Sequence, residues 1–178
     1  MKNFKHLFLK SLLIGIIFFF NDCNKKYSSE NLEKIPSPDI KGEFELITEL
    51  SDEFEGRKLD TSKWFPNNPT WLGRKPGYFY NKNVTVSNGK LHLTMKKEEP
   101  PEMPKNSGYH TYTSATVRSK HTVKYGFFFI KAKAMNSRGS SAFWFYDQSP
   151  DLWTEIDVFE ICGNCPERRN KYNMNVHV

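Results

Sequence analysis

Cysteine is scarce in this 178-residue chain: Cys23, Cys162 and Cys165 are the whole supply. There is no second Cys pair and no dense His cluster, which argues against a structural zinc site. The pair Cys162-Gly-Asn-Cys165 lacks strand–helix–strand surroundings, which argues against thioredoxin-type chemistry as well. What remains for it is a short-loop disulfide or two thiols in a surface loop. Long apolar runs are also missing. The longest, residues 11–20 (SLLIGIIFFF), falls short of the roughly 20 residues a membrane-spanning helix needs. No window carries the apolar period of a convincing amphipathic helix, and no internal repeat is present. Basic residues exceed acidic ones, 26 against 20, for a formal charge of +6. The excess is spread along the chain and forms no stripe of the kind that binds nucleic acid. It suits a neutral or anionic polymer as partner.

What is present begins with aromatic residues: 15 Phe, 8 Tyr and 4 Trp, in a chain that is 38% hydrophobic. That composition excludes disorder and permits a core. At the N-terminus Lys2, Lys5 and Lys10 precede the short apolar run, the layout of an export signal over residues 1–22. Cys23 follows, and its position resembles the lipidation site of a bacterial lipoprotein. Residues 23–43 are polar, with Pro36 and Pro38, and read as a tether. The expected location is therefore outside the cytoplasm: a cell-surface or periplasmic lipoprotein, or a secreted protein. Any membrane contact would run through the anchor alone. Residues 44–178 are the expected domain, acting as a monomer.

Within that domain the pattern has period two. Residues 83–86 and 90–95 (KLHLTM) flank Ser87-Asn88-Gly89, a hairpin signal. Further strands are expected at 112–119, 126–134 and 140–146, and residues 98–105 (EEPPEMPK) read as a loop. Many short strands without helices indicate an all-β sandwich of antiparallel sheets.

The chemistry concentrates in residues 154–163, TEIDVFEICG. Alternation puts Glu155 and Asp157 on one face, with Ile156 and Val158 expected to point into the core. It would put Glu160 on the core face too, where an unpaired carboxylate is costly. A β-bulge at 158–159 returns Glu160 to the side of Glu155 and Asp157. Three acids on one face repel, and at least one is driven to keep its proton. A retaining glycosidase needs one ionised and one protonated carboxyl about 5–5.5 Å apart. An exposed acidic strand and calcium ligation are the competing readings. Residues 173–178 (NMNVHV) add a strand with Asn173, Asn175 and His177 on one face and Met174, Val176 and Val178 on the other.

These motifs, in order, resemble glycoside hydrolase family 16. Glu155-Ile-Asp157-Val-Phe-Glu160 resembles the family's bulged signature E-x-D-x-x-E. Residues 51–56 (SDEFEG), Leu59-Asp60 and Lys63-Trp64 resemble its opening strand, and residues 83–95 its next hairpin. Trp71-Leu72-Gly73-Arg74, followed by Pro76 and Phe79, resembles the β-agarase and porphyranase branch. The resemblance implies a concanavalin A-like jelly roll whose concave sheet holds a polysaccharide. It implies that Glu155 is the nucleophile, Glu160 the acid/base and Asp157 an assisting group. It implies sugar contacts from Trp71, Trp144 and Trp153 and a forked donor in Arg74, while the polar face of residues 173–178 independently suggests further contacts from Asn173, Asn175 and His177. The implied activity is endo-hydrolysis of a red-algal galactan, agar or porphyran. A β-1,3-glucanase and a non-catalytic carbohydrate-binding sandwich are the alternatives. No cofactor is required. A structural calcium ion is compatible with the fold, and no ligand cluster for one is legible. The resemblance also implies that the last strands of the roll lie beyond Val178.

Overall fold

The computed structural model describes residues 44–148, 153–168 and 170–178. The expected export signal, the tether and Cys23 lie outside these residues. The described residues divide into two compact units, one within Asp39–Phe128 and one within Phe129–Val178. Among the described residues, ten short strands and two 3-10 turns, Thr48–Leu50 and Asn81–Asn83, make up the regular structure.

The first unit holds β1 (Trp64–Phe65), β2 (Tyr78–Phe79), β3 (Val84–Ser87), β4 (Lys90–Leu93), β5 (Lys96–Lys97), β6 (Tyr112–Ser114) and β7 (Arg118–Ser119). β3 and β4 form the expected hairpin, with Val86 opposite Leu91 and Ser87 opposite Lys90. Asn88 and Gly89 turn the chain at φ of 52° and 66°, the left-handed conformation that these two residues tolerate best. β1 pairs with β7, and β6 lies between β2 and β5. The β2–β6 pair is parallel, an exception to the expected antiparallel pattern.

Three expected strands change form. The segment 112–119 breaks into β6 and β7, which join different sheets. Residues 51–56 make no ladder. Asp52 there accepts a bond from the Trp64 indole (3.0 Å) and one from the Phe54 amide (2.8 Å), holding Phe54 at a φ of 53°. Residues 126–134 are apolar and alternating, yet they are assigned no strand, and residues 126–133 are exposed. Alternation describes which side chains could share a face; a strand also needs ladder partners, and no described strand pairs with this segment.

A buried polar knot closes this unit. Asn83 and Thr113 are almost wholly buried. The Asn83 amide donates to Thr113 Oγ1 at 2.7 Å and to Glu98 Oε1 at 3.3 Å, and the Thr113 hydroxyl donates to Glu98 at 2.7 Å. The bond from Thr113, joined by that from Asn83, holds the Glu98 carboxyl below its ordinary value of 4.5. Thr113→Val should therefore cost about 1–3 kcal/mol by chemical denaturation, because it strands the partners of a buried hydroxyl. The folded state lowers the pKa of Glu98, so its contribution to stability is complete above the unfolded value. That contribution is lost as pH falls through the folded one. Melting curves across acid pH should show a fall that Glu98→Gln removes.

The second unit holds β8 (Ser141–Gln148), β9 (Trp153–Ile161) and β10 (Asn173–His177), with β9 in the centre and antiparallel to both neighbours. Cys162 and Cys165 are joined as a disulfide immediately after β9.

Candidate active site

β9 reads WTEIDVFEI, and its Thr, Ile, Val and aromatic residues favour extended backbone. Ladders on both edges hold it. Along β8, Phe143 lies opposite Phe159 while the next residue, Trp144, lies opposite Asp157. Along β10, Asn173 lies opposite Glu160 and Asn175 opposite Asp157. Both ladders thus absorb one extra residue of β9 between Asp157 and Glu160, a β-bulge where the spacing of the acids calls for one.

Directly opposed residues share a face, so the two registers build three rows across the sheet. One row is Tyr146, Glu155 and His177; the next is Trp144, Asp157 and Asn175; the third is Ala142, Glu160 and Asn173. All three acids stand in the centre of one face. Trp153, two residues before Glu155, shares it. Asp157 is the most enclosed of the acids at 6% exposure, whereas Glu155 and Glu160 are half-buried. Nε2 of His177 lies 3.4 Å from Oδ2 of Asp157, an ion pair when the imidazole is protonated. Trp153 is 48% exposed and leans over His177, with ring centroids 5.6 Å apart at 32°. Asn173 donates through its amide to the Glu160 carbonyl at 3.1 Å. Ligand atoms of Glu155, Asp157 and His177 lie within 4.8 Å of one another. Among the described residues these three form the group that could grip one divalent cation.

The opposite face carries Phe143, Phe145, Ile156, Phe159 and Val176. Phe143 contacts Phe145 and Phe159 edge-on or tilted, at 5.1 and 6.2 Å. Ile156 remains 44% exposed and Val158 half-buried, so the expected core positions are not these two. Phe159 takes that place, because the bulge leaves it opposite Phe143 and within 6.0 Å of the Tyr172 ring.

Trp71 and Arg74 belong to the other unit and are described there. Phe79 donates its amide to the Leu72 carbonyl, Gly77 to that of Arg74, and Tyr109 its hydroxyl to that of Gly73. Gly73 sits at a φ of 114°, and a Cβ there would lie 2.6 Å from the Gly77 carbonyl oxygen. The segment is therefore a tightly closed turn that only glycine allows. Trp71 packs edge-on against Phe79, with 40% of its surface exposed. Arg74 is exposed and makes no ion pair among the described residues.

The model of the beta-porphyranase A–D GH16 domain matches residues 44–178. The chain belongs to this family. It is 34% identical over 152 residues to beta-porphyranase D of Zobellia galactanivorans, covering 79% of this chain and 34% of that protein. It is 35% identical over 127 residues to beta-porphyranase B of the same organism, covering 68% of this chain and 43% of that one. Among solved structures, porphyranase B of Zobellia galactanivorans matches with a TM-score of 0.62 and 28% identity, over 74% of this chain and 60% of that one. The fold is thus the GH16 jelly roll, and the chain spans roughly a third to two fifths of the length of these two curated relatives.

Tyr146 joins the site without an expectation from the sequence, although it stands two residues from Trp144 on the same strand. His177→Ala in this GH16 domain should cost about 1 kcal/mol in denaturant unfolding, since it removes the partner of a buried carboxylate. Asp157→Asn combined with His177→Ala should cost little beyond Asp157→Asn alone, the coupling expected of a direct pair.

Proposed function

We propose that this protein is an endo-acting, retaining glycoside hydrolase that cuts a red-algal galactan of the agar or porphyran class. The observation that carries the reading is the register of β9, which lines up Glu155, Asp157 and Glu160 on one face and flanks them with Trp144 and Trp153. An apolar sugar face packs on such rings, while carboxylates and amides serve its hydroxyls. The porphyranase relatives support the substrate class.

In the reaction, Glu155 attacks the anomeric carbon as Glu160 hands a proton to the departing oxygen, and a covalent glycosyl ester forms. Water then enters, Glu160 takes its proton, and the ester at Glu155 breaks with the original configuration restored. Asp157, held by His177, stands between the two and keeps Glu155 oriented through the strand's shared face. Trp71 and Arg74 are proposed to bind a galactan unit, Arg74 through a fork suited to a sulfate. Export through residues 1–22, with lipidation at Cys23, would bring the enzyme to extracellular polysaccharide.

Reducing-sugar release should appear on porphyran or agarose and be absent on laminarin, with the protein expressed at its natural length; release from laminarin alone would favour a β-1,3-glucanase. Glu155→Ala should lower turnover by roughly 10,000-fold or more with the melting temperature little changed. NMR of fresh product should show the retained anomer. An inverted product would require widely spaced carboxyls with a water between them and would overturn the roles of Glu155 and Glu160. Trp71→Ala should weaken all galactans, and Arg74→Ala should weaken a sulfated chain more than a neutral one.

A further inference from the structure

The group read above as the acid/base has little strand to stand on. Glu160 is the last residue but one of β9, and the bulge separates it from the stretch that carries Glu155 and Asp157. Among the described residues the ladder to β8 holds three pairs past the bulge: Phe143 with Phe159, Ala142 with Glu160 and Ser141 with Ile161. On the other edge the pair past the bulge is Asn173 with Glu160, and the Asn173 carboxamide adds a bond to the Glu160 carbonyl. The ends of such elements open first, because their last pairs have the least support. Acid catalysis tolerates little of that: a misplacement of about 1 Å costs on the order of 100-fold in rate.

The chain after Ile161 restrains that end. Cys162 comes next, 9% exposed, and its disulfide to Cys165 closes the chain on itself. The closed loop is docked on the turn that leads into β8. Gly163 lies so close to the Met135 carbonyl that a Cβ would collide with it, and Asn164 donates its amide to the Ser137 carbonyl at 2.9 Å. The turn is tied in its own right. The Met135 amide donates to Ser141 Oγ at 3.1 Å and the Gly139 amide to Ser137 Oγ at 3.0 Å. Ser141 then faces Ile161 across the ladder. Disulfide loop, turn and ladder form a closed circuit of restraints around residues 159–161.

We propose that the Cys162–Cys165 disulfide is a positioning element for catalysis, fixing the end of β9 so that Glu160 meets the departing oxygen. The two cysteines lie beyond the strand and act through its backbone. The inference rests on the reading of Glu160 as acid/base and adds a redox dependence to it. An external dithiol supplies two electrons and two protons, the disulfide becomes two thiols, and the reagent is left oxidised. The loop is then free, and full activity is confined to an oxidising setting.

The test uses the leaving group to isolate acid assistance. A sugar departs as an alkoxide that needs a proton, whereas a dinitrophenolate departs without one. Rates are measured in the full-length protein on a galactan oligosaccharide and on its dinitrophenyl glycoside. Cys162→Ser combined with Cys165→Ser should lower kcat on the oligosaccharide roughly 100-fold and on the dinitrophenyl glycoside less than about threefold. The ratio of the two rates in one sample does not depend on how much of the protein is folded. Reduction with dithiothreitol should produce the same split in the unaltered protein, and reoxidation should reverse it. Glu160→Ala, which removes the acid itself, serves as the reference and should split the substrates more widely. Equal losses on both substrates for the cysteine variant and the reduced protein, or no loss on either, overturn the inference and leave the acid/base reading standing. A Glu160→Ala protein that loses both substrates equally overturns both.

Discussion

A side chain in a sheet does not choose its face. The hydrogen-bond ladders on either edge of a strand choose for it, and a slip of one residue sends every group to the other side. β9 is held by two ladders at once, and both agree on where its extra residue lies. The rows built around Glu155, Asp157 and Glu160 depend on that agreement. So do the tilted contact of Trp153 with His177 and the approach of His177 to Asp157.

Assembling three acids on one face carries an electrostatic cost, and the neighbours show how it is met. Asp157, the most enclosed, has the His177 imidazole at hand. Glu155 and Glu160 keep partial access to water, where repulsion is weaker. Each acid has a polar residue of β10 opposite it: His177, Asn175 and Asn173 in turn. Beyond Glu160 the loop adds Arg168 and Lys171. Polar and cationic groups thus replace some of the solvation that water would give three separate carboxylates. The sheet's other face is served by Phe143, Phe145 and Phe159, whose ring contacts do not compete for the same space.

Residue spacing made the core of this site readable. Glu155, Asp157 and Glu160 identified the strand, the five-residue step from first to last acid demanded a bulge, and the polar half of residues 173–178 marked a neighbour. Pairing was harder to read than pattern. Tyr146 enters the row of Glu155 only through a register that joins distant segments. Residues 126–134 alternate as well as β8 does, but a ladder needs a partner, and the pattern of one segment says nothing about the existence of another. The burial of Phe159 in place of Ile156 follows from how the bulge redistributes side chains, which simple parity misassigns. The Cys162–Cys165 motif left thiols and disulfide open because it speaks of proximity along the chain, whereas bonding depends on the backbone bringing the two Cα atoms to 5.6 Å.

The bulge has a consequence at the level of the gene. In an ordinary strand, gain or loss of a single codon inverts the orientation of everything downstream, and a catalytic pair straddling the change is separated by the thickness of the sheet. Between Asp157 and Glu160 the surplus residue is taken up on the spot by both neighbours. Removing the codon for Val158 would leave E-I-D-F-E, in which plain alternation again turns the last acid the same way as the first. Two reading-frame-preserving lengths of the same strand therefore encode one facing of the carboxylates.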